Sequence, residues 1–354
     1  MFPVILPAFP RLESCRSSCE PYPAPDPTRN PMNAIRVSAF GPPDSLRLSE
    51  VQTPDPKPGE VLVRVAAAGV NPVDTYIRAG AYGKLPELPY TPGLDGSGTV
   101  ESLGSPCPDL ALGQRVYLSG SLTGTYAQFA LCTFSQVHPL PDALSFAQGA
   151  ALGIPYATAD YALRIRAAAQ PGETLLIHGG TGAVGTALVQ IAQNLGLRVV
   201  ATGGTAEGCA LLRSMGVEAV FNHSDSGYES DLFAATDGKG FQVIVEMLAN
   251  LNLPRDLQLL APGGRVVIVG SRGPVEINPR DLMARNADVR GVMLFGVSPG
   301  ELREVHARLH RGASDGWLRP RIAAEMPLAQ ASEAHRRILE RGLNGKLVLL
   351  PWAI

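Results

Sequence analysis

The chain has 354 residues, 45% hydrophobic and 18% charged, with a formal net charge of −2. That length allows two domains with substantial cores, and the composition is that of an ordinary globular protein. The near-neutral charge argues against nucleic acid or an anionic membrane as the main partner, and there is no run of about 18 apolar residues to span a bilayer.

Residues 1–31 differ from the rest. They hold eight prolines and show neither helical nor strand periodicity, so a disordered Pro-rich extension is expected. The opening stretch lacks a basic n-region and is interrupted by Pro3, Pro7 and Pro10, unlike a signal peptide. Met32, where strand-like sequence begins, is a candidate start. The cysteines (Cys15, Cys19, Cys107, Cys132 and Cys209) are odd in number and scattered. This fits a reducing, cytoplasmic setting rather than a disulfide framework.

From Met32 onward, short β segments are expected at 34–40, 46–51 and 61–67, separated by Pro- and Gly-rich turns. A short helix follows Asn71-Pro72, and more strands are expected at 98–103, 114–118 and 126–132. Together they describe a partly closed β-barrel domain. Helical sequence starts at Ser145, an N-cap with Gln148 three residues on, and hands over near Pro155 to a second domain.

That second domain opens on Glu173–Gly204, ETLLIHGGTGAVGTALVQIAQNLGLRVVATGG. An apolar run (174–177) meets Gly180-Thr181-Gly182-Ala183-Val184-Gly185. Ala187, Leu188, Ile191, Ala192 and Leu195 then fall at helical spacing, and a second apolar run follows at 197–201. Strand, glycine turn, helix and strand make the first βαβ unit of a dinucleotide-binding fold. Its glycines allow a tight turn, close approach to a pyrophosphate and close helix packing. The phosphates would sit at a helix N-terminus. An NAD site usually carries an acid about 20 residues on; here Thr202-Gly203-Gly204-Thr205 stands instead, which favours NADPH.

Further strands are expected at 219–222, 242–246, 265–270 and 289–295, alternating with helices as in a doubly wound parallel sheet. Residues 300–354 read as two helices and a final strand at 346–350, returning to the barrel. The expected organisation is therefore an extension (1–31), a barrel domain (32–155, completed by 300–354) and a Rossmann NADPH-binding domain (156–299).

Several words in the chain are long and unusual: GVNPVDTYIR (69–78), LPYTPG (88–93), GIPY (153–156), FNH (221–223), EMLAN (246–250) and VGSRGPVEINPRD (269–281). They resemble the NADPH:quinone oxidoreductases of the zeta-crystallin type, within the medium-chain dehydrogenases/reductases. The resemblance covers essentially residues 32–350. It implies an α/β protein with a GroES-like catalytic barrel and a Rossmann domain. It also implies metal-free transfer of a hydride or single electrons from NADPH to a small quinone, and assembly as a homodimer or homotetramer. The zinc-containing relatives place a Cys after Gly-Val and a His-Glu pair further on. Here those places hold Asn71 and Leu94-Asp95, and Asn and Leu cannot supply thiolate or imidazole ligands.

By the same resemblance, Tyr76 lies at the cofactor and acceptor cleft and Asn71 is the active-site Asn, although Asn71 also suits a turn cap. Tyr82 and Tyr90 are weaker candidates, with packing the default. Gly180, Thr181, Gly182, Ala183, Val184 and Gly185 match the pyrophosphate turn, and Gly204, Thr205 and His223 match the adenosine end. Asn252 matches a cofactor-contacting Asn or a helix N-cap. Val269, Gly270, Ser271 and Arg272 face the nicotinamide ribose, and Val292, Met293 and Leu294 pass the nicotinamide or pack the core. Thr158 lies near the phosphates or nicotinamide. Bacterial relatives often hold the 2′-phosphate with a Lys and a Tyr, where this chain has Gly208 and His223. That leaves His223, backbone donors, and Arg272 or Arg341 for the charge. Reduction of an activated C=C bond in an enone is the rival chemistry, and a non-catalytic crystallin-like or RNA-binding role is the rival class.

Overall fold

The computed structural model describes residues 30–353 apart from residue 108. The expected Pro-rich extension, including Cys15 and Cys19, lies almost wholly outside the described residues. Cys107, Cys132 and Cys209 are free thiols.

Six parallel strands form the nucleotide-fold sheet. In spatial order they are Ala219–Asn222, Arg198–Gly203, Thr174–Ile177, Phe241–Glu246, Leu260–Ile268 and Asp288–Gly291. The order reverses between Thr174–Ile177 and Phe241–Glu246, and a crevice at the carboxyl ends of strands is where such sheets bind ligands. Thr174–Ile177 is an unbroken apolar run because helices cover both faces of the sheet. Helix Ala183–Asn194 packs against it with Ala187, Leu188, Ile191 and Ala192. Full burial of Leu188 or Ile191 contributes about 1.5–3 kcal/mol each. The helix ends in a Schellman arrangement: Leu197 N–H donates to Ala192 O, Gly196 N–H to Gln193 O, and Gly196 takes φ +74°.

The barrel is organised by Glu60–Val70. This strand pairs antiparallel with Asp95–Leu103, Phe129–Thr133 and Lys346–Leu350. Its register sets Gly69 opposite both Asp95 and Val348, and Val70 opposite Leu347. Asp95 and Lys346 are thereby delivered to the residue that follows Val70, which is Asn71. A Cβ on Gly69 would lie 2.7 Å from Lys346 Cε, 2.9 Å from Asp95 Cβ and 2.1 Å from Ala150 O. Only glycine allows the three to close on that point. The hairpin Met32–Val37 with Leu46–Val51 joins the barrel through bridges at Ala34–Ala127 and Val37–Tyr90.

Three expectations differ from the structure. The strand expected at 289–295 stops at Gly291, because Leu294 turns back into the core within a 3₁₀ turn, Leu294–Gly296, leaving Met293 and Phe295 exposed. The return segment holds a strand that was not anticipated, Ile322–Pro327, paired parallel with Lys346–Leu350. Its Ala-Ala-Glu core has helical propensity, and sheet pairing overrides it. The helical stretch after Ser145 is not one regular α-helix. The expected capping box is present, but Leu152–Tyr156 and Tyr161–Arg166 are wound as π-helix, with Pro155 inside the first. Helix Pro299–Ser314 lays Val305, Leu309 and Ala313 into the same core as Ala187 and Leu188.

Candidate active site

The glycine turn enters helix Ala183–Asn194 with Gly182 at the N-cap and no side chain capping it. The first-turn N–H groups of Ala183, Val184 and Gly185 therefore lack intrahelical partners and face outward. Around a Cβ built on Gly182, the nearest atom is Gly179 O at 3.7 Å, so the approach is open. Gly180 packs tightly, with a Cβ there meeting Ala201 Cβ at 3.0 Å. Such a turn fits a pyrophosphate, which the dipole and free N–H groups both favour.

The residues expected at the adenosine end come from three segments that the structure brings together. Thr205 caps the next helix by accepting from Gly208 N–H at 3.0 Å. His223 lies across Gly204, where a Cβ would stand 2.8 Å from His223 Nε2. Burial lowers the His223 pKa, and the charges of Arg341 and His178 lower it further. The third segment is the return loop 341–345. Gly345 bridges Gly182, and a Cβ on Gly208 would meet Thr181 Cγ2 at 2.9 Å and Asn344 Oδ1 at 3.1 Å. Asn344 Oδ1 is buried without a partner. Sequence reasoning named Arg341 only as an alternative and missed Asn344, because nothing local ties that loop to a turn more than 150 residues earlier.

Among the residues expected at the nicotinamide end, Val269 N–H donates to Glu246 O at 2.9 Å, and Arg272 N–H to Asn250 Oδ1 at 2.9 Å. Ser271 and Arg272 are exposed, and Thr158 is buried. Val292 and Leu294 pack the core, while Met293 Sδ accepts from the Tyr82 hydroxyl at 3.9 Å. Asn252 does not cap its helix. Leu248 holds the N-cap position, and Asn252 lies a turn inside with its Nδ2 on both Glu246 carboxylate oxygens, at 3.1 and 3.2 Å.

Glu246 belongs to a buried cluster with His178 and Asp256, in which His178 Nε2 lies 2.8 Å from Asp256 Oδ1. Burial raises the Glu246 pKa. For His178 burial acts downward, but the hydrogen bond and charge of Asp256, with Glu246, more than offset it and raise the pKa. Ligand atoms of the three come within 4.8 Å of one another. The Leu248 N–H and Asn252 Nδ2 donors aimed at Glu246 suit a carboxylate rather than a cation.

On the barrel side the structure brings together residues the sequence kept far apart. Asn71 is buried, and its Oδ1 accepts from Lys346 Nζ at 2.5 Å while its Nδ2 donates to Asp95 Oδ2 at 2.9 Å. Lys346 Nζ also donates to Asp95 Oδ2 at 2.7 Å. Lys346 is 1% exposed and Asp95 fully buried. Asn71 also caps helix Pro72–Arg78, its own N–H donating to Asp74 Oδ2 at 2.8 Å. An ammonium thus stands between Asn71 and Asp95, and a donor set of amide, carboxylate and ammonium does not fit zinc. Next to it is a cavity of about 670 Å³ whose wall includes Asp74, Ile77, Tyr90, Leu94 and Thr123. Tyr76 sits half-buried on the same helix but does not line that cavity. Tyr90 does line it, and Tyr82 packs edge-on against Phe295.

The comparisons with known proteins agree in kind. The alcohol dehydrogenase GroES-like domain family matches residues 57–142, and the family described as zinc-binding dehydrogenase matches residues 183–311. A pig quinone oxidoreductase is 48% identical over 321 residues, covering 90% of this chain and 98% of the relative. The chain belongs to the zeta-crystallin-type quinone oxidoreductases. The human family member is 46% identical over the same span. A mycobacterial protein solved in complex with NADPH superposes with a TM-score of 0.83 at 31% identity, covering 90% of this chain and 100% of that one. Among the described residues, no helix is long and apolar enough to cross a membrane.

Proposed function

We propose that this chain is an NADPH-dependent quinone reductase that works without a metal, and that the residues described above are its site. The observation that carries the reading is the Lys346 ammonium held by Asn71 and Asp95, in a chain that keeps an open dinucleotide turn and is 48% identical to a quinone oxidoreductase. When bound, the cofactor supplies the hydride or electrons. The protein's work is to bind, orient and exclude water. Thr181–Gly185 hold the pyrophosphate through backbone N–H groups, and Val269–Arg272 with Val292–Leu294 wall the nicotinamide end. The acceptor enters the cavity beside Asp74 and Leu94, where a quinone needs only modest acid assistance because its reduced oxygen is delocalised.

His223 and Arg341 together replace the missing acid of an NAD site and hold the 2′-phosphate. Arg341→Ala is expected to raise the KM for NADPH by about tenfold, one exposed charge-assisted contact, and to leave the KM for NADH unchanged. Equal effects on both cofactors would remove Arg341 from this role. The activity itself is tested by initial rates with 1,4-naphthoquinone against 2-alkenals. Higher kcat/KM with the quinone is expected, and higher efficiency with alkenals would make the chain an enone reductase.

A cytoplasmic location and a homodimer belong to the same reading. The edge strand Asp288–Gly291, followed by exposed Met293 and Phe295, offers the pairing surface. Light scattering that found only monomer would contradict the dimer.

A further inference from the structure

We infer that Asn344, on the return loop of the barrel domain, accepts a hydrogen bond from the adenosine ribose of the coenzyme. In NAD sites a carboxylate at the strand end performs that task. The inference rests on the dinucleotide reading of the glycine turn and adds to it a contact from the other domain.

Three observations carry it. First, Asn344 Oδ1 is buried with no hydrogen-bond partner. Buried acceptors are paired as a rule, so an unpaired one calls for a donor that arrives from elsewhere. Second, the atoms gathered about it belong to the expected coenzyme site. A Cβ built on Gly208 would meet Thr181 Cγ2 at 2.9 Å, Asn344 Oδ1 at 3.1 Å and Thr205 Oγ1 at 3.3 Å. Asn344 thus stands between the glycine turn, through Thr181, and the end of strand Arg198–Gly203, through Thr205. Third, the main chain holds it there. Gly345 bridges Gly182, Asn344 O accepts from Arg321 Nε at 3.1 Å, and Lys346 N–H donates to Arg321 O at 2.9 Å. On the other side Gly342 backs onto Thr205, where a Cβ would lie 3.4 Å from Thr205 Cγ2. A group placed in advance loses little freedom on binding.

The chemistry of the ligand selects the donor. The phosphates and the adenine ring nitrogens of NADPH accept hydrogen bonds. The donors at that end are the ribose hydroxyl and the adenine amino group. The ribose joins the pyrophosphate to the adenine, and Asn344 lies between the turn that suits a pyrophosphate and the segment that suits adenosine. That connectivity assigns the ribose 3′-hydroxyl, which NADPH and NADH share. A carboxylate would accept the same bond but repel a 2′-phosphate. An amide oxygen accepts it and is neutral, so the phosphorylated coenzyme is admitted. Asn344 also crowds the space over Gly208, and the positive charge is left to Arg341, three residues earlier on the same loop.

The test is calorimetric titration of wild type, Asn344→Ala and Asn344→Asp with NADPH and with NADH, beside thermal melting of each coenzyme-free protein. Asn344→Ala should weaken both coenzymes by the same factor, about fivefold, the worth of one neutral hydrogen bond. It should melt no lower than the wild type, because it removes an unpaired acceptor. Asn344→Asp keeps an acceptor and adds a negative charge. It should hold NADH within about twofold of wild type and weaken NADPH by at least about tenfold. NADPH lacking the 3′-hydroxyl should bind wild type and Asn344→Ala equally well.

Wild-type affinities in Asn344→Ala would overturn the proposal. A lower melting temperature of that variant without coenzyme would also do so, by making Asn344 a structural link. Loss of NADH together with NADPH in Asn344→Asp would mean that the amide donates to a phosphate through Nδ2, and the acceptor assignment would fall. A 3′-deoxy coenzyme that still discriminates between wild type and Asn344→Ala would remove the ribose as the partner. A wild type that takes up neither coenzyme would sink the reading of the turn itself, and this proposal with it.

Discussion

Lys346→Met is expected to destabilise the protein by about 3–5 kcal/mol, the cost of leaving one member of a buried ion pair uncompensated. The pair is tightly enclosed: Lys346 is 1% exposed, Asp95 is fully buried, and both are hydrogen-bonded to Asn71. Asp95 Oδ1 further accepts from Ile154 N–H at 2.7 Å, so its carboxylate is anchored and cannot turn away to solvent. Methionine matches the lysine stem but brings no charge, which isolates the electrostatic effect from packing. Combining Lys346→Met with Asp95→Asn should recover much of the loss, because the double variant buries no lone charge. Denaturant unfolding of the two singles and the double would measure this. A single-variant loss under about 1 kcal/mol would mean that Lys346 is not an electrostatic member of the site.

Gly185→Val should weaken NADPH binding by at least about 100-fold, equivalent to about 2.7 kcal/mol. A Cβ at Gly185 would stand 2.4 Å from Gly179 O and 2.6 Å from Gly180 C and Cα. These are backbone atoms of the turn itself, with no flexible side chain to give way. Either the helix lifts off the strand or the turn opens, and both carry the N–H groups away from the pyrophosphate. Overpacking of this kind also costs about 1–3 kcal/mol of stability. Gly182→Ala is the matched control, since its Cβ would find only Gly179 O, at 3.7 Å. That variant should melt like the wild type. Calorimetric titration with NADPH measures both, and wild-type affinity in Gly185→Val would contradict the assignment of the turn.

Local pattern accounts for what the sequence made legible. Strands Thr174–Ile177 and Ala219–Asn222 are short apolar runs bounded by polar or turn residues, and the turn between strand and helix carries its own glycine code. The capping box at Ser145 is likewise a three-residue signal. The acceptor side was not readable in this way. Asn71 meets its most important partner across 275 positions, and Lys346 in sequence is only the first residue of a C-terminal strand. Asp95 looked like the remainder of a lost His-Glu pair, and its burial against a lysine depends on the register through Gly69. Asn252 shows the opposite failure. A plausible local role as a helix cap gave way to a tertiary contact with Glu246. Strand Ile322–Pro327 was missed because its residues prefer helix and only pairing with Lys346–Leu350 makes it extended.

The family name attached to residues 183–311 mentions zinc, whereas the residues around Asn71 hold an ammonium. The account therefore turns on whether turnover needs a metal. The most direct measurement is NADPH-driven reduction of 1,4-naphthoquinone after exhaustive dialysis against a chelator, with bound metal determined on the same sample. Undiminished kcat in metal-depleted protein is the expected result. Activity that disappears on dialysis and returns with stoichiometric zinc would contradict the account.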